Sequence, residues 1–508
     1  MLRRIIDLSL VTRSFPNPEP YKAPPQYAHH EQIGEAYNRS ELMGYLDLKG
    51  FYLGDDGEPY TEVTCTVDPL GTHGETLWLD DRVMFGRLSP EKKWLVRDVT
   101  QISISQLVGD AAIIDMSHIE PGQAIDVADL QKYGAHVRDR DIVFIRTDYG
   151  LKMKDAREKH SQEFYSKSPG LTVAAAKWLA EEKKIKVLAM DTRSPEVQTQ
   201  VWKDISEIAY PVHRVMHDHG VVLIEDVANL DAISAERVFA FCGLPLKTEL
   251  ISGGPAMVLA VEEGKSGHKV VNLSNRLYPF PGEVPVEPFE RIEPFSQIES
   301  VLKRMRITKF TLSGLGYGYP GGMLDWGELV TFNDRLGTHL EMPGLAQSKR
   351  LSPIDLDPGD LYGTAAVIDL TNVGPERVVT ACDLKKRGAH VQEGDIVILR
   401  TDFIDWHYNL PGFCHLSPSL SADSTEWLID KKVRMVISDM VSLDRVAPDS
   451  GAQRLNRRAL WDHGILIVNM ASNLWLIKKP RVKIAVLPLP IVGIISSPAR
   501  VVAVEEYT

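Results

Sequence analysis

The chain is written twice, and at the length of a domain. The segment Ala111-Ala-Ile-Ile-Asp-Met-Ser-His118, continued by Gly134-Ala-His-Val137 and Asp141-Ile-Val-Phe-Ile-Arg-Thr-Asp148, returns as Ala365-Ala-Val-Ile-Asp-Leu-Thr-Asn372, Gly388-Ala-His-Val391 and Asp395-Ile-Val-Ile-Leu-Arg-Thr-Asp402. Further pairs keep the same order: Leu70-Gly-Thr-His73 with Leu336-Gly-Thr-His339, Trp178-Leu179 with Trp427-Leu428, Asp218-His-Gly220 with Asp462-His-Gly464, and Pro255-Ala-Met-Val with Pro498-Ala-Arg-Val. A repeat this long is a whole folding unit and not a solenoid module. We expect two domains, 1–265 and 295–508, joined by a Pro/Gly-rich linker, 266–294. Covalently fused homologous halves are most simply a dimer made internal, with a pseudo-two-fold axis. The halves could instead pair with those of a second chain.

Within each copy, apolar runs such as Ile142–Ile145, Val187–Met190 and Val221–Ile224 read as strands buried on both faces. They alternate with helix-like segments. One such segment follows Ser168-Pro169, with Leu171, Ala175, Trp178 and Leu179 on one face, and its partner begins at Ser417-Pro418. The fold class is therefore α/β, built twice.

Composition narrows the function. The net charge of −12, from 57 Lys+Arg against 69 Asp+Glu, offers no basic field for nucleic acid or an anionic membrane. Four scattered cysteines form neither a disulfide framework nor a C-x-x-C pair, which suits a reducing compartment. The most apolar stretch, Ile484 to Ile495, is interrupted by Pro488 and Pro490 and is shorter than the ~20 residues of a spanning helix. The N-terminus lacks the features of a signal peptide. A cytoplasmic protein with a small-molecule substrate, and with neither nucleic acid nor membrane as partner, is the expectation; further homo-oligomerisation stays open.

Gly71-Thr-His-Gly-Glu75 places an imidazole and a carboxylate two residues apart, on one face of an extended strand. Far along the chain, His213 and Glu225 flank Asp218-His-Gly220 and a Val-Val-Leu-Ile run, so a second such pair could converge on the first. A His₂Glu₂ set suits Zn²⁺ or Mn²⁺. The plainer alternative is a hydrogen-bonded His-x-Glu. Asp218-His219 and Asp462-His463 invite a general-base reading, but beside a buried strand they read more plainly as turn residues, with the acid capping local N–H groups, and His136 and His390 as stabilising a turn before a strand. His29 and His30 lie in a polar segment, as loop or lid residues. Trp78 and Trp202 are either an aromatic wall for a substrate or core.

Ile5-Ile-Asp-Leu-Ser-Leu10, Leu70-Gly-Thr-His-Gly-Glu75, Asp141-Ile-Val-Phe-Ile-Arg-Thr147, Asp191-Thr-Arg-Ser194, His213, Glu225 and Leu244-Pro-Leu246 together resemble the metal-dependent cyclase family that includes bacterial kynurenine formamidase. The resemblance implies a swivelling β/β/α fold in each half, assembly as a pseudo-dimer, and zinc- or manganese-dependent hydrolysis of amides, lactones or related rings. It aligns the family motif His-x-Gly-Thr-His-x-Asp-x-Pro-x-His with positions 69 to 79. His73 then matches a metal histidine, Glu75 stands where Asp is usual, and His213 and Glu225 match the distal ligands. Pro69 replaces the first metal histidine, with Asp68 beside it as a possible substitute, and Leu79 replaces the acid/base histidine.

In the second copy His339 and Glu341 remain, but Arg335, Leu345, Arg457 and Asn469 stand at the other motif positions. Charged arginine does not ligate a metal. No cofactor is expected there, and Arg457 either pairs with Glu341 or, with His339 and Glu341, meets an anionic substrate group. The resulting expectation is a metal-dependent hydrolase or cyclase acting on a C–N or C–O bond of a small metabolite. In it Glu75 or Glu225 relays protons, with His73 beside them. The alternatives are a metal-independent cyclase, lyase or isomerase of the same fold, and a ligand-binding protein without catalysis.

Overall fold

The structure is a computed structural model and describes residues 2–7, 46–53, 59–66, 73–75, 99–155, 163–164, 167–197, 211–247, 253–264, 267–272, 311–318, 324–342, 352–408, 413–445, 455–492, 494 and 496–507. Two large mixed sheets carry the chain. In the first, the strand order is Gly253–Pro255, His73–Glu75, Val222–Glu225, Val187–Met190, Ile142–Arg146, Val108–Asp115, Arg237–Gly243, Met257–Gly264 and Gly267–Asn272. The central four strands are parallel. The second sheet runs Leu2–Asp7, Ser496–Tyr507, His339–Glu341, Leu466–Asn469, Met435–Ser438, Ile396–Arg400, Tyr362–Asp369 and Arg481–Pro488, with the same parallel centre. Its long Ser496–Tyr507 strand pairs with both His339–Glu341 and Arg481–Pro488, so the sheet closes on itself.

Strand alternation divides the apolar residues between two layers. Ile113, Phe144, Ala189 and Ile224 of the first sheet share one continuous core with Ala365, Ile398, Ile437 and Val468 of the second. The opposite faces carry Ile114, Val143, Leu188 and Leu223 under the first copy's helices, and Ile368, Val397, Val436 and Ile467 under the second's. Burial on both faces is why these strands read as unbroken Val/Ile/Leu runs.

The helix expected after Ser168-Pro169 starts later, at Val173, with the Thr172 side chain accepting from the Ala175 N–H. Gly170–Leu171 is claimed first by a parallel pairing with Ala124–Ile125. Its partner likewise starts at Ala422, capped by Ser421.

The copies also exchange strands. Leu2–Asp7 pairs with the closing strand of the second copy, Ile5 opposite Val504. Gly267–Asn272, within the stretch expected to be linker, pairs with the closing strand of the first copy, Val270 opposite Val261. Val270-Val-Asn-Leu-Ser274 repeats Ile5-Ile-Asp-Leu-Ser9, so the two registers are equivalent. A four-stranded sheet joins Pro59–Thr66 to Leu324–Asn333, with Thr66 opposite Leu329 and Val63 opposite Phe332. Among the described residues no helix is long and apolar enough to cross a membrane.

Candidate functional site

The site forms at the carboxyl end of the parallel strand Val222–Glu225, the end of a strand where α/β sheets hold their ligands. The helix Pro211–Asp218 packs beside it, with proline in the first position, where a missing N–H costs nothing. His213 therefore sits in the first turn, among the N–H groups that have no partner inside the helix. Glu196 supplies that partner: one carboxylate oxygen accepts from the Val212 and His213 N–H groups at 3.0 and 2.9 Å. Its other oxygen lies 2.7 Å from His213 Nδ1 and accepts from the Ser194 hydroxyl at 2.8 Å. On the far edge of the ring, His213 Nε2 is 3.1 Å from Glu225 Oε1. All three side chains are buried. Burial pushes the Glu196 carboxyl up, but the His213 charge and these hydrogen bonds outweigh it, and it ends below the usual range.

The His73–Glu75 strand runs antiparallel beside Val222–Glu225, His73 directly opposite Glu225 and Glu75 opposite Leu223. A Cβ at Gly74 would stand 2.6 Å from Leu244 Cδ2 and 2.9 Å from Ile224 Cδ1, so glycine lets this short strand seat closely. The backbone thus brings His73 and Glu75 onto the strand beside Glu225, while His213 meets Glu225 from the helix Pro211–Asp218. The side chains of His73 and Glu75 lie outside the described residues, as do Asp68, Trp78, Trp202, His29 and His30. Among the described residues no group of three or more His, Cys, Asp or Glu could hold a metal ion. With Nδ1 turned to Glu196, the His213 Nε2 edge and the Glu225 carboxylate face one another, an imidazole nitrogen and a carboxylate oxygen of the types that bind divalent ions. The donor set fits a divalent metal.

Sequence reasoning missed Glu196. Its signal was an acid two residues beyond a serine in both copies, Ser194-Pro-Glu196 and Ser442-Leu-Asp444. Nearby, the half-buried Asp191 accepts from Thr147 N–H and hydroxyl and from Asp148 N–H, and desolvation lifts its pKa to about 6.

The second copy repeats the backbone and changes the chemistry. His339–Glu341 pairs with Leu466–Asn469, His339 opposite Asn469. Arg457 holds the position of His213 in the helix Leu455–Asp462, and Asp444 accepts from the Asn456 and Arg457 N–H groups at 3.0 and 3.2 Å. Of the two roles open to Arg457, the geometry forms the pairing: its Nε is 3.2 Å from Glu341 Oε2, and its Nη2 donates to Ser442 Oγ at 2.7 Å. Arg335 Nε and His339 Nε2 lie 3.7 and 3.4 Å from the other Glu341 oxygen. Burial alone would raise the Glu341 carboxyl; the Arg457 and Arg335 guanidiniums hold it well below the usual carboxylate range. Arg457 and Glu341 are each 1% exposed.

His219 and His463 bond through Nδ1 to the carbonyls of Val215 and Ala459, so at each of these turns the histidine closes the end of its helix. His136 and His390 bond to strand carbonyls, of Ile113 and Val367.

Residues 6–197 and 271–445 both match the family described as Cyclase, "Putative cyclase". The chain is 28% identical over 147 residues to a kynurenine formamidase of Bacillus thuringiensis (strain Al Hakam), covering 29% of this chain and 65% of that protein, just under two thirds of its length. Among solved structures it is similar to a predicted metal-dependent hydrolase from Bacillus stearothermophilus, with 20% identity over 40% of this chain and 89% of that one and a TM-score of 0.32. It is also similar to isatin hydrolase A from Ralstonia solanacearum, with 22% identity over 51% of this chain and 91% of that one and a TM-score of 0.32. Matched in each of its halves and over more than half of its length, the chain belongs to the cyclase family.

Proposed function

We propose that the chain is an enzyme that hydrolyses an amide, lactone or related C–N or C–O bond of a small metabolite, at a single site in its first half. The observation that carries this reading is the buried His213–Glu225 pair with His73 directly across the ladder from Glu225. His73, Glu75, His213 and Glu225 would hold a divalent metal ion, with Asp68 a further candidate. Such an ion, when bound, supplies Lewis-acid polarisation of a carbonyl and acidifies water. The chain's own groups do the rest. His213 is held by Glu196, and Glu225 and Glu75 would be the carboxylates that accept and return a proton, since position 79 is leucine. Burial of His213 and Glu225 keeps bulk water from screening these charges.

In the second half Arg457 already supplies a cation to Glu341, so no metal is needed there. We further infer that the chain is an internal pseudo-dimer. The equivalent registers of the exchanged strands support it, as does the Pro59–Thr66 pairing, in which exchanging the copies turns the Thr66–Leu329 pair into Val63–Phe332.

The test is elemental analysis of protein purified without a metal-affinity tag, joined to a mass-spectrometric product search over acyl amides and lactones. We expect about one divalent ion per chain and slow or fast hydrolysis of some member, both lost in His213→Ala. Folded protein carrying no metal and returning every compound unchanged would sink the reading.

A further inference from the structure

Glu196 stands out because both of its oxygens are spent on the same short segment. Oε1 takes the two N–H groups of Val212 and His213, and Oε2 takes the Ser194 hydroxyl and faces His213 Nδ1. A carboxylate only accepts, so the proton in the 2.7 Å contact belongs to Nδ1. The ring is thereby fixed in rotation with a proton on Nδ1, and Nε2 is the edge turned to Glu225 at 3.1 Å. Partners of this kind on the remote ring nitrogen orient metal-binding histidines and raise their basicity.

The second copy provides a control within the same molecule. Asp444 occupies the position of Glu196 and caps the same two positions of its helix, at Asn456 and Arg457. It is one methylene shorter, and where the histidine has become Arg457, the side-chain contact passes to Ser442. The cap is common to both halves. In the half that keeps the histidine, the carboxylate also reaches a side-chain nitrogen, His213 Nδ1, at 2.7 Å.

We propose that Glu196 is a positioning residue that locks His213 with its proton on Nδ1 and presents Nε2 to the metal position beside Glu225; this rests on the metal-site reading above. Glu196→Gln tests it sharply. The helix N–H groups still demand an oxygen at the Oε1 position, so the new amide NH₂ falls opposite His213 Nδ1. Nδ1 must then accept, and the proton moves to Nε2.

Two readouts on the full-length protein decide the matter: the imidazole nitrogen and proton signals of histidine-labelled protein, assigned with His213→Asn, and the zinc dissociation constant by competition with a chromophoric chelator. We expect a hydrogen-bonded Nδ1 proton in the wild type that is lost in Glu196→Gln, and zinc binding weakened about 10–100-fold. Glu196→Asp, which copies the second half, should keep the melting temperature through the retained cap and still lose zinc affinity, so the test survives if the glutamine variant does not fold. Wild-type zinc affinity and an unchanged Nδ1 proton in Glu196→Gln would overturn the proposal. A wild type that takes up no zinc would instead defeat the metal-site reading, while the Nδ1 signal would still decide the role of Glu196.

Discussion

At the scale of single residues, the two copies show one backbone position serving two electrostatic designs. Glu341 is sealed from water, and its ionised state is held by Arg457 and Arg335. Removing one partner from such a pair leaves a buried charge without compensation, which costs more than the pair contributes. Arg457→Met should therefore lower the unfolding free energy by about 3 kcal/mol in a denaturant titration, and adding Glu341→Gln should restore much of it. The pairing was one of two roles legible for Arg457 in the sequence. Glu196 was not legible, because its partner lies 17 residues away in the chain, beyond the reach of any local spacing pattern.

Two other acids, the buried Asp439 and the half-buried Asp191, shift in the direction opposite to Glu341. Burial lifts Asp439 from 3.8 to about 7 and Asp191 to about 6, although each accepts hydrogen bonds from the Thr-Asp segment beside it. A raised acid binds its proton more tightly in the folded state. Its contribution to stability is thus complete below about pH 4 and is lost as the pH rises through 6 to 7. Glu341 and Glu196, both lowered, contribute above their ordinary value and lose that contribution on acidification. Asp439→Asn should flatten the decline of the urea midpoint between pH 4 and 7, while lowering stability overall.

At the scale of elements, the parallel strands were legible because burial on both faces leaves continuous apolar runs, and Ile142–Arg146 and Val187–Met190 fall where those runs are. The helix starts were not. Proline in Ser168-Pro169 resembles a first-turn signal, yet it precedes a two-residue strand whose Gly170 passes hard against the Glu196 backbone. A Cβ at Gly170 would sit 2.2 Å from the Glu196 carbonyl carbon. Gly170→Ala should therefore displace Glu196 and lower the metal occupancy proposed for the first half, as read by elemental analysis. Helix caps were more local. Thr380 and Asp383 form a reciprocal capping box, and Thr380→Ala should cost about 1 kcal/mol by thermal unfolding.

At the scale of the whole molecule, the exchanged strands and the shared core make each half depend on the other. A fragment ending near residue 265 would keep Met257–Gly264 but lose its Gly267–Asn272 neighbour, and would present its face of the common core to water. Long unpaired edges above an exposed apolar face drive aggregation. Halves expressed alone should be insoluble, and co-expressed halves should co-purify as one complex. Close approach between the sheets adds a point test: a Cβ at Gly243 would stand 2.6 Å from Leu487 of the other copy. Gly243→Val should cost about 1–3 kcal/mol, read as a lowered denaturation midpoint.

The sequence by itself determined the internal repeat and the α/β class, and it offered the two His/Glu pairs of the first half as a candidate site, because each is a pattern of residue types at short range or a repeat of such a pattern. Only the tertiary structure decided that the copies trade their opening strands, that His73 lies opposite Glu225, and that a carboxylate behind His213 fixes its ring. The physical reason is common to all three. Periodicity records which faces of an element are buried, whereas strand partners and hydrogen-bond partners are chosen by the packing of segments far apart in the chain.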